Sequence, residues 1–142
     1  MDKRDLLLAA LSAGGTCEYT PVQVQKLVFL IERNVPVDIG GPVFDFKAYD
    51  YGPFDSTIYD VLRELDAQGL AVSALTSRGW KKYQLTESGV REGSKLLENL
   101  PKRASDYVRN VSTFVRRLNF AELVSAIYKA YPEMKANSVF RD

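Results

Sequence analysis

Tyr131 and Lys135 stand at Tyr-x-x-x-Lys spacing, the arrangement with which some nicotinamide-dependent enzymes set a phenol against an ammonium. The setting that chemistry needs is missing. No glycine-rich dinucleotide turn accompanies the pair, and Pro132 breaks the helix that would hold it. Cys17 is the single thiol, and no imidazole stands anywhere in the chain to activate it, because the chain contains no histidine. That absence removes Ser-His-Asp and Cys-His catalysis, histidine-ligated metals and imidazole acid–base work. One cysteine also excludes a four-cysteine zinc site and an intramolecular disulfide, which fits a reducing compartment. Carboxylates such as Asp45 and Asp50 remain, but the sequence alone gives them no partner. The expectation is therefore a chain that is not an enzyme and holds no cofactor or metal.

The residues that remain distinctive suit recognition. The stretch YDYGPFDSTIYDVL, Tyr49 to Leu62, sets four aromatic rings among acids around a Gly-Pro break. Gly52 permits a sharp turn and Pro53 fixes its direction, so Tyr49, Tyr51, Phe54 and Tyr59 are expected to crowd one corner between a strand and a helix. Asp50, Asp55 and Asp60 would rim that corner with negative charge and steer a basic partner. Phe54 and Tyr59 read as core rings that staple strand to helix. Tyr49 and Tyr51 lie on the strand's polar side, where core and interface readings both stand. Lys26, after a core glutamine, is expected to pair at the surface with an acid near Asp50.

The elements around this corner follow from periodicity and caps. A first helix runs from about Asp2 to Ala13 and ends at Gly14-Gly15. Its apolar run, Leu6 to Leu11, is shorter than an export segment requires. Thr20 caps a second helix with Pro21 at its first position, and Val24, Leu27, Val28 and Ile31 form its core face. VFDFKAY alternates as a half-buried strand, with Phe44, Phe46 and Ala48 inward. Gly52-Pro53 stops it. A third helix starts between Pro53 and Asp55 and reaches Gln68, burying Ile58, Val61, Leu62 and Leu65. LAVSAL and KKYQLT make a hairpin around Gly79. Thr86 caps a fourth helix to about Leu100. A fifth places Val108, Val111, Phe114, Val115 and Leu118 on one side, and a sixth spans about Phe120 to Ala130. The last few residues are expected to fray.

With 46% hydrophobic residues in 142, the chain suffices for one core and one domain, residues 1–142. The expected class is mainly α with a small β component. Residues 1–100 form a winged-helix-like core, and 101–142 add C-terminal helices. No apolar run is long enough for a bilayer, so no membrane contact is expected, and the single cysteine's fit to a reducing compartment makes the expected location cytoplasmic.

A winged helix raises DNA binding, and the charge pattern argues against the usual mode. Val37 to Gly69 carries seven acids and two bases, whereas Thr76 to Leu118 carries ten bases and four acids. The helix before the wing, where the groove reader stands in such folds, has a net charge of −3 and would be repelled by phosphates. Nucleic acid would have to meet Arg78, Lys81 and Lys82 on the hairpin, or Arg109, Arg116 and Arg117 on the fifth helix. That is the alternative function: a DNA-binding regulator, dimeric through its last helices.

The leading function comes from a resemblance. VQKLVFLIER and FKAYDYGPFDSTIYDVLRELDAQGL resemble the Panacea domain family, the SocA-like antitoxin and YwgA-type proteins. Gln25, Lys26, Leu27, Ala48, Tyr49, Tyr51, Gly52, Pro53, Ile58, Tyr59, Leu62 and Gly69 stand at the positions of that pattern, over roughly residues 20 to 72. The resemblance implies a non-enzymatic prokaryotic protein of a toxin–antitoxin or phage-defence setting. It would neutralise or deliver a protein partner by direct contact, and a basic toxin would suit the acidic corner. After Gly69 the hairpin and last helices match the pattern only loosely.

Overall fold

Four helices begin where the residue at the N-cap supplies a capping side chain. In the computed structural model, which describes residues 1–141, Asp2 accepts a hydrogen bond from the Asp5 amide to start α1, Lys3–Ser12. Thr20 and Gln23 form a reciprocal capping box at α2, Pro21–Asn34. Thr86 caps α4, Glu87–Glu98, and Asn119 with Glu122 forms a second capping box at α6, Phe120–Ala130. Between these lie α3, Thr57–Ala67, and α5, Lys102–Arg117. A 3-10 turn, Pro132–Lys135, follows α6. The strands are β1, Lys47–Tyr49, β2, Gly52–Phe54, β3, Ala71–Leu75, and β4, Lys81–Leu85, paired as two antiparallel hairpins. The chain is thus mainly α with a small β component.

One core joins the early and late helices. Leu7, Leu8 and Leu11 of α1, Leu27 and Ile31 of α2, Val115 of α5 and Leu123 of α6 are fully buried in a single apolar cluster. Glycine at two positions of α4 lets it pack closely, at Gly93 against α1 and at Gly89 against the entry to β3. A methyl group on Gly93 would stand 2.4 Å from the Leu8 carbonyl oxygen, and one on Gly89 would stand 2.0 Å from that of Leu70. Tyr19 ties the halves together. Its backbone exchanges hydrogen bonds of 2.7 and 2.9 Å with Tyr83 of β4, and its buried hydroxyl shares one of 2.7 Å with Ser112 of α5.

Three expectations are corrected. The alternation of VFDFKAY is real, since Phe44 is buried and Asp45 exposed, but only Lys47–Tyr49 forms a ladder. Its partner is Gly52–Phe54, in the register Lys47↔Phe54, Ala48↔Pro53 and Tyr49↔Gly52. The Gly-Pro pair therefore opens a return strand, and α3 begins later, at Thr57. Phe114 does not join the core stripe of α5, because it is 43% exposed while Val111 and Val115 on either side are buried. The C-terminal segment is anchored. Val139 N–H and Ser138 Oγ–H donate to the Asp50 carbonyl at 3.0 and 3.3 Å, Asn137 donates to the Ala48 carbonyl, and Phe140 packs its ring on Phe120 and Tyr128.

The loop between α2 and β1 is held by Glu32, a residue outside every sequence expectation. Its Oε2 accepts from the Val43 and Phe44 amides at 2.6 and 3.1 Å. Burial raises its pKa, and those two backbone donors partly offset the rise.

Candidate functional site

Gly52 sits at φ +103, a conformation that strains any residue with a Cβ. A methyl there would also press on the Tyr128 ring at 3.3 Å and the Lys26 side chain at 3.5 Å. Glycine at this point therefore lets the β1–β2 hairpin lie directly on α2 and α6. The hairpin turn, Asp50–Tyr51, projects beside them.

Gln25 and Asp55 fix the exit of the hairpin. The Gln25 side chain, 1% exposed, donates to the Asp55 carbonyl and accepts from the Asp55 amide, both at 3.0 Å, as a neighbouring strand would. The Asp55 carboxylate accepts from the Asp45 amide at 2.7 Å and from the Thr57 amide and hydroxyl at 2.9 and 2.7 Å. It thus caps α3, whose own N-cap, Ser56, makes no side-chain bond. Burial pushes the Asp55 pKa up, but the Asp45 and Thr57 hydrogen bonds outweigh it and leave the group below its ordinary value. Asp55→Ala should cost about 2–3 kcal/mol of stability at neutral pH, read by denaturant melts. The lowered pKa means this stability is present above the unfolded value of 3.8 and is lost as pH falls through the folded one, so the gap to the variant narrows in acid.

Lys26 is not at the surface. It is 2% exposed, and its ammonium donates to the Pro53 carbonyl at 3.1 Å rather than to an acid near Asp50. Burial depresses its pKa to about 7. Above it opens a pocket of about 580 Å³. Pro21, Val22 and Lys26 of α2, Tyr51 of the hairpin turn, Tyr59 of α3, Trp80 of the β3–β4 turn and Leu118, Phe120 and Leu123 around the start of α6 are among the residues that line it. No carboxylate is among the lining residues.

Two runs of touching rings flank this pocket. Tyr49 stacks on Phe54 at 5.1 Å, Phe54 meets Tyr59 at 6.0 Å, and Tyr59 stacks on Tyr83 at 6.1 Å. On the other side Tyr51 meets Phe120 edge-on at 5.0 Å, and Phe120 meets Phe140 at 6.1 Å. Phe54 and Tyr59 are half-buried, whereas Tyr49, Tyr51, Trp80 and Phe120 are exposed. The structure thus brings Tyr51, Tyr59 and Lys26 together in one pocket wall, with Gly52 and Pro53 buried behind them. Tyr49 stands on its flank, and Asp50 serves the anchoring of the C-terminal segment. Trp80, Phe120, Leu118 and Leu123 were not singled out as site residues. The one legible signal was Phe120, a large ring at the first helical position, outside the stripe of Leu123, Val124 and Ile127.

The basic residues are placed differently. Arg78 and Lys81 are exposed on the β3–β4 hairpin, and Lys82 faces Glu18 at 3.8 Å and the Trp80 ring at 5.9 Å. On α5, Arg109 and Arg117 are exposed, while Arg116 donates to Ser112 and lies over the Tyr19 ring. The solvent face of α3 carries Asp60, Glu64 and Asp66. No group of acidic or thiol side chains able to hold a metal occurs among the described residues, and no helix there is long and apolar enough to cross a membrane.

No protein-family model matches the sequence, and none of the curated proteins matches it.

Proposed function

We propose that this chain is a non-enzymatic, antitoxin-like or adaptor-like binding protein that engages a protein partner across the face of Tyr49, Tyr51, Trp80 and Phe120. The observation that carries the reading is the grouping of exposed aromatic side chains at one largely apolar pocket: Tyr51, Trp80 and Phe120 line it, and Tyr49 stands on its flank, stacked on Phe54. Exposed apolar residues scattered singly need no explanation, but a cluster around a concavity is the anatomy of an anchor site, where rings fill pockets at small entropic cost. The resemblance to the Panacea group lends support, because its pattern runs through Lys26 and Tyr51 to Tyr59, the hairpin wall of that pocket. The acids Asp50 and Asp60 beside the rings suit a basic partner.

A DNA-binding regulator is the second reading, and the exposed β3–β4 hairpin with Arg78 and Lys81 is what favours it. It predicts salt-sensitive duplex binding that falls when Arg78, Lys81 and Lys82 are neutralised. The acidic solvent face of α3 stands against insertion of that helix into a groove.

The reading is tested by affinity purification of the tagged chain from its own cells at moderate salt, beside a Tyr51→Ala, Phe120→Ala double variant and a Phe114→Ala control. One protein should accompany the wild type and the control at near-equal stoichiometry, and its yield should drop at least about tenfold with the double variant at an unchanged melting temperature. Recovery of duplex DNA without protein, or equal yields from all three, would overturn it.

A further inference from the structure

The Lys26 ammonium has three N–H donors, and within the chain one of them is used, on the Pro53 carbonyl. Ion pairs among the described residues join eight pairs of side chains, and Lys26 belongs to none of them. A buried cation without a counter-charge is costly, and the cost is met by a partner of opposite charge or by loss of the proton. Lys26 forms part of the wall of the 580 Å³ pocket, whose volume lies in the range of sites that enclose small molecules. Most of the remaining wall, Val22, Leu118, Phe120, Leu123 and Trp80 among it, is hydrocarbon and ring, and its polar groups are uncharged hydroxyls and amides of residues such as Thr20, Gln23 and Asn119.

We propose that this pocket binds a free monocarboxylic acid with an apolar body, its carboxylate on the Lys26 ammonium and its chain along Val22 and Leu123 toward Trp80. Charge selects the headgroup. A neutral apolar ligand leaves the lysine donors unmatched, and a cationic one meets a like charge. A dianion such as a phosphate monoester finds one cation where it needs two, since no arginine or second lysine lines the pocket. The lining selects the body, because it is largely apolar and includes the exposed Trp80 and Phe120 rings. The half-charged state that burial gives Lys26 near pH 7 supports the same assignment, since an incoming carboxylate would restore full protonation. Nothing in this inference requires a protein partner.

The test uses the purified chain alone with sodium decanoate, decanol and decylamine as probes below pH 7. Trp80 is the single tryptophan, so its emission reports the pocket directly. Decanoate should change that emission saturably and bind at least about tenfold more tightly than decanol, with decylamine weaker still. Lys26→Met, checked for a cooperative melt, should bring decanoate down to the level of decanol. Val22→Phe, which fills the pocket and leaves the lysine in place, should weaken decanoate and decanol together. Equal affinity for decanoate and decanol in the wild type would overturn the proposal. So would a decanoate response that survives both variants, which marks surface adsorption, or no saturable response to any probe.

Discussion

Gly89→Ala and Gly93→Ala will each destabilise the chain by about 3 kcal/mol, in positions where helix propensity alone predicts a gain of about 1 kcal/mol. Both glycines lie inside α4, and in an exposed helix alanine would be the better residue. Here the added methyl has nowhere to go. At Gly89 it would meet the Leu70 carbonyl oxygen at 2.0 Å and the Leu85 side chain at 3.2 Å. At Gly93 it would meet the Leu8 carbonyl oxygen at 2.4 Å and the Ser12 Cβ at 2.7 Å. The obstructing atoms are mostly backbone, so relief requires α4 to move away from α1 or from the β3 entry. Either movement opens the interface that buries Leu8 and Leu97. Urea melts of the two variants read the loss. Unchanged or increased stability of Gly93→Ala would mean that α4 is not in this close contact with α1, and the same result for Gly89→Ala that it is not in close contact with the β3 entry.

Lys26→Met will change the pH dependence of stability rather than simply its level. The folded lysine titrates at about 7, and the unfolded one near 10.5. Below pH 7 the side chain is charged in both states, and the full penalty of burying that charge is present. Between these values the unfolded chain binds more protons than the folded one, so wild-type stability rises with pH. The rise should reach about 3 kcal/mol between pH 6 and pH 9.5, and Lys26→Met should lack it. Below pH 7 the methionine variant should be the more stable, because an apolar side chain of similar length replaces an uncompensated charge, at the smaller cost of an unpaired Pro53 carbonyl. Chemical melts of both proteins across that range read the difference. Parallel curves would mean that Lys26 keeps an ordinary pKa and is hydrated or paired.

Much of the fold was legible because its signals are local. Asp2, Thr20 and Thr86 cap helices through their own side chains, and Gly69 and Gly79 end a helix and turn a hairpin at positive φ. The β1–β2 hairpin was hidden because its strands have three residues each, and a Gly-Pro pair reads as a stop rather than a return. Lys26 was misplaced for a related reason. On the helical period it stands beside Leu27 in a helix that is buried all round, and a lysine among apolar residues is ordinarily at the surface. Its burial depends on Gly52 and Pro53, a contact across 27 residues that the sequence does not express. The pocket was partly legible. Tyr51 and Tyr59 announced themselves beside the Gly-Pro break, whereas Trp80 and Phe120 reach the same cavity from elements whose packing angles no local pattern encodes. Chain ends fray unless something ties them down, and here Ser138 and Val139 find the Asp50 carbonyl, a long-range contact that the sequence does not express.

The central claim is that the partner docks on the pocket face. Trp80, the single tryptophan, stands on that face, so the chain labelled with 5-fluorotryptophan carries one fluorine reporter there. The measurement is its fluorine NMR resonance as the co-purified partner is added to one equivalent. Docking on the pocket face predicts that the free resonance disappears and a shifted or broadened one replaces it in step with complex formation. An unmoved resonance in a sample where chromatography shows the complex fully formed would contradict the account.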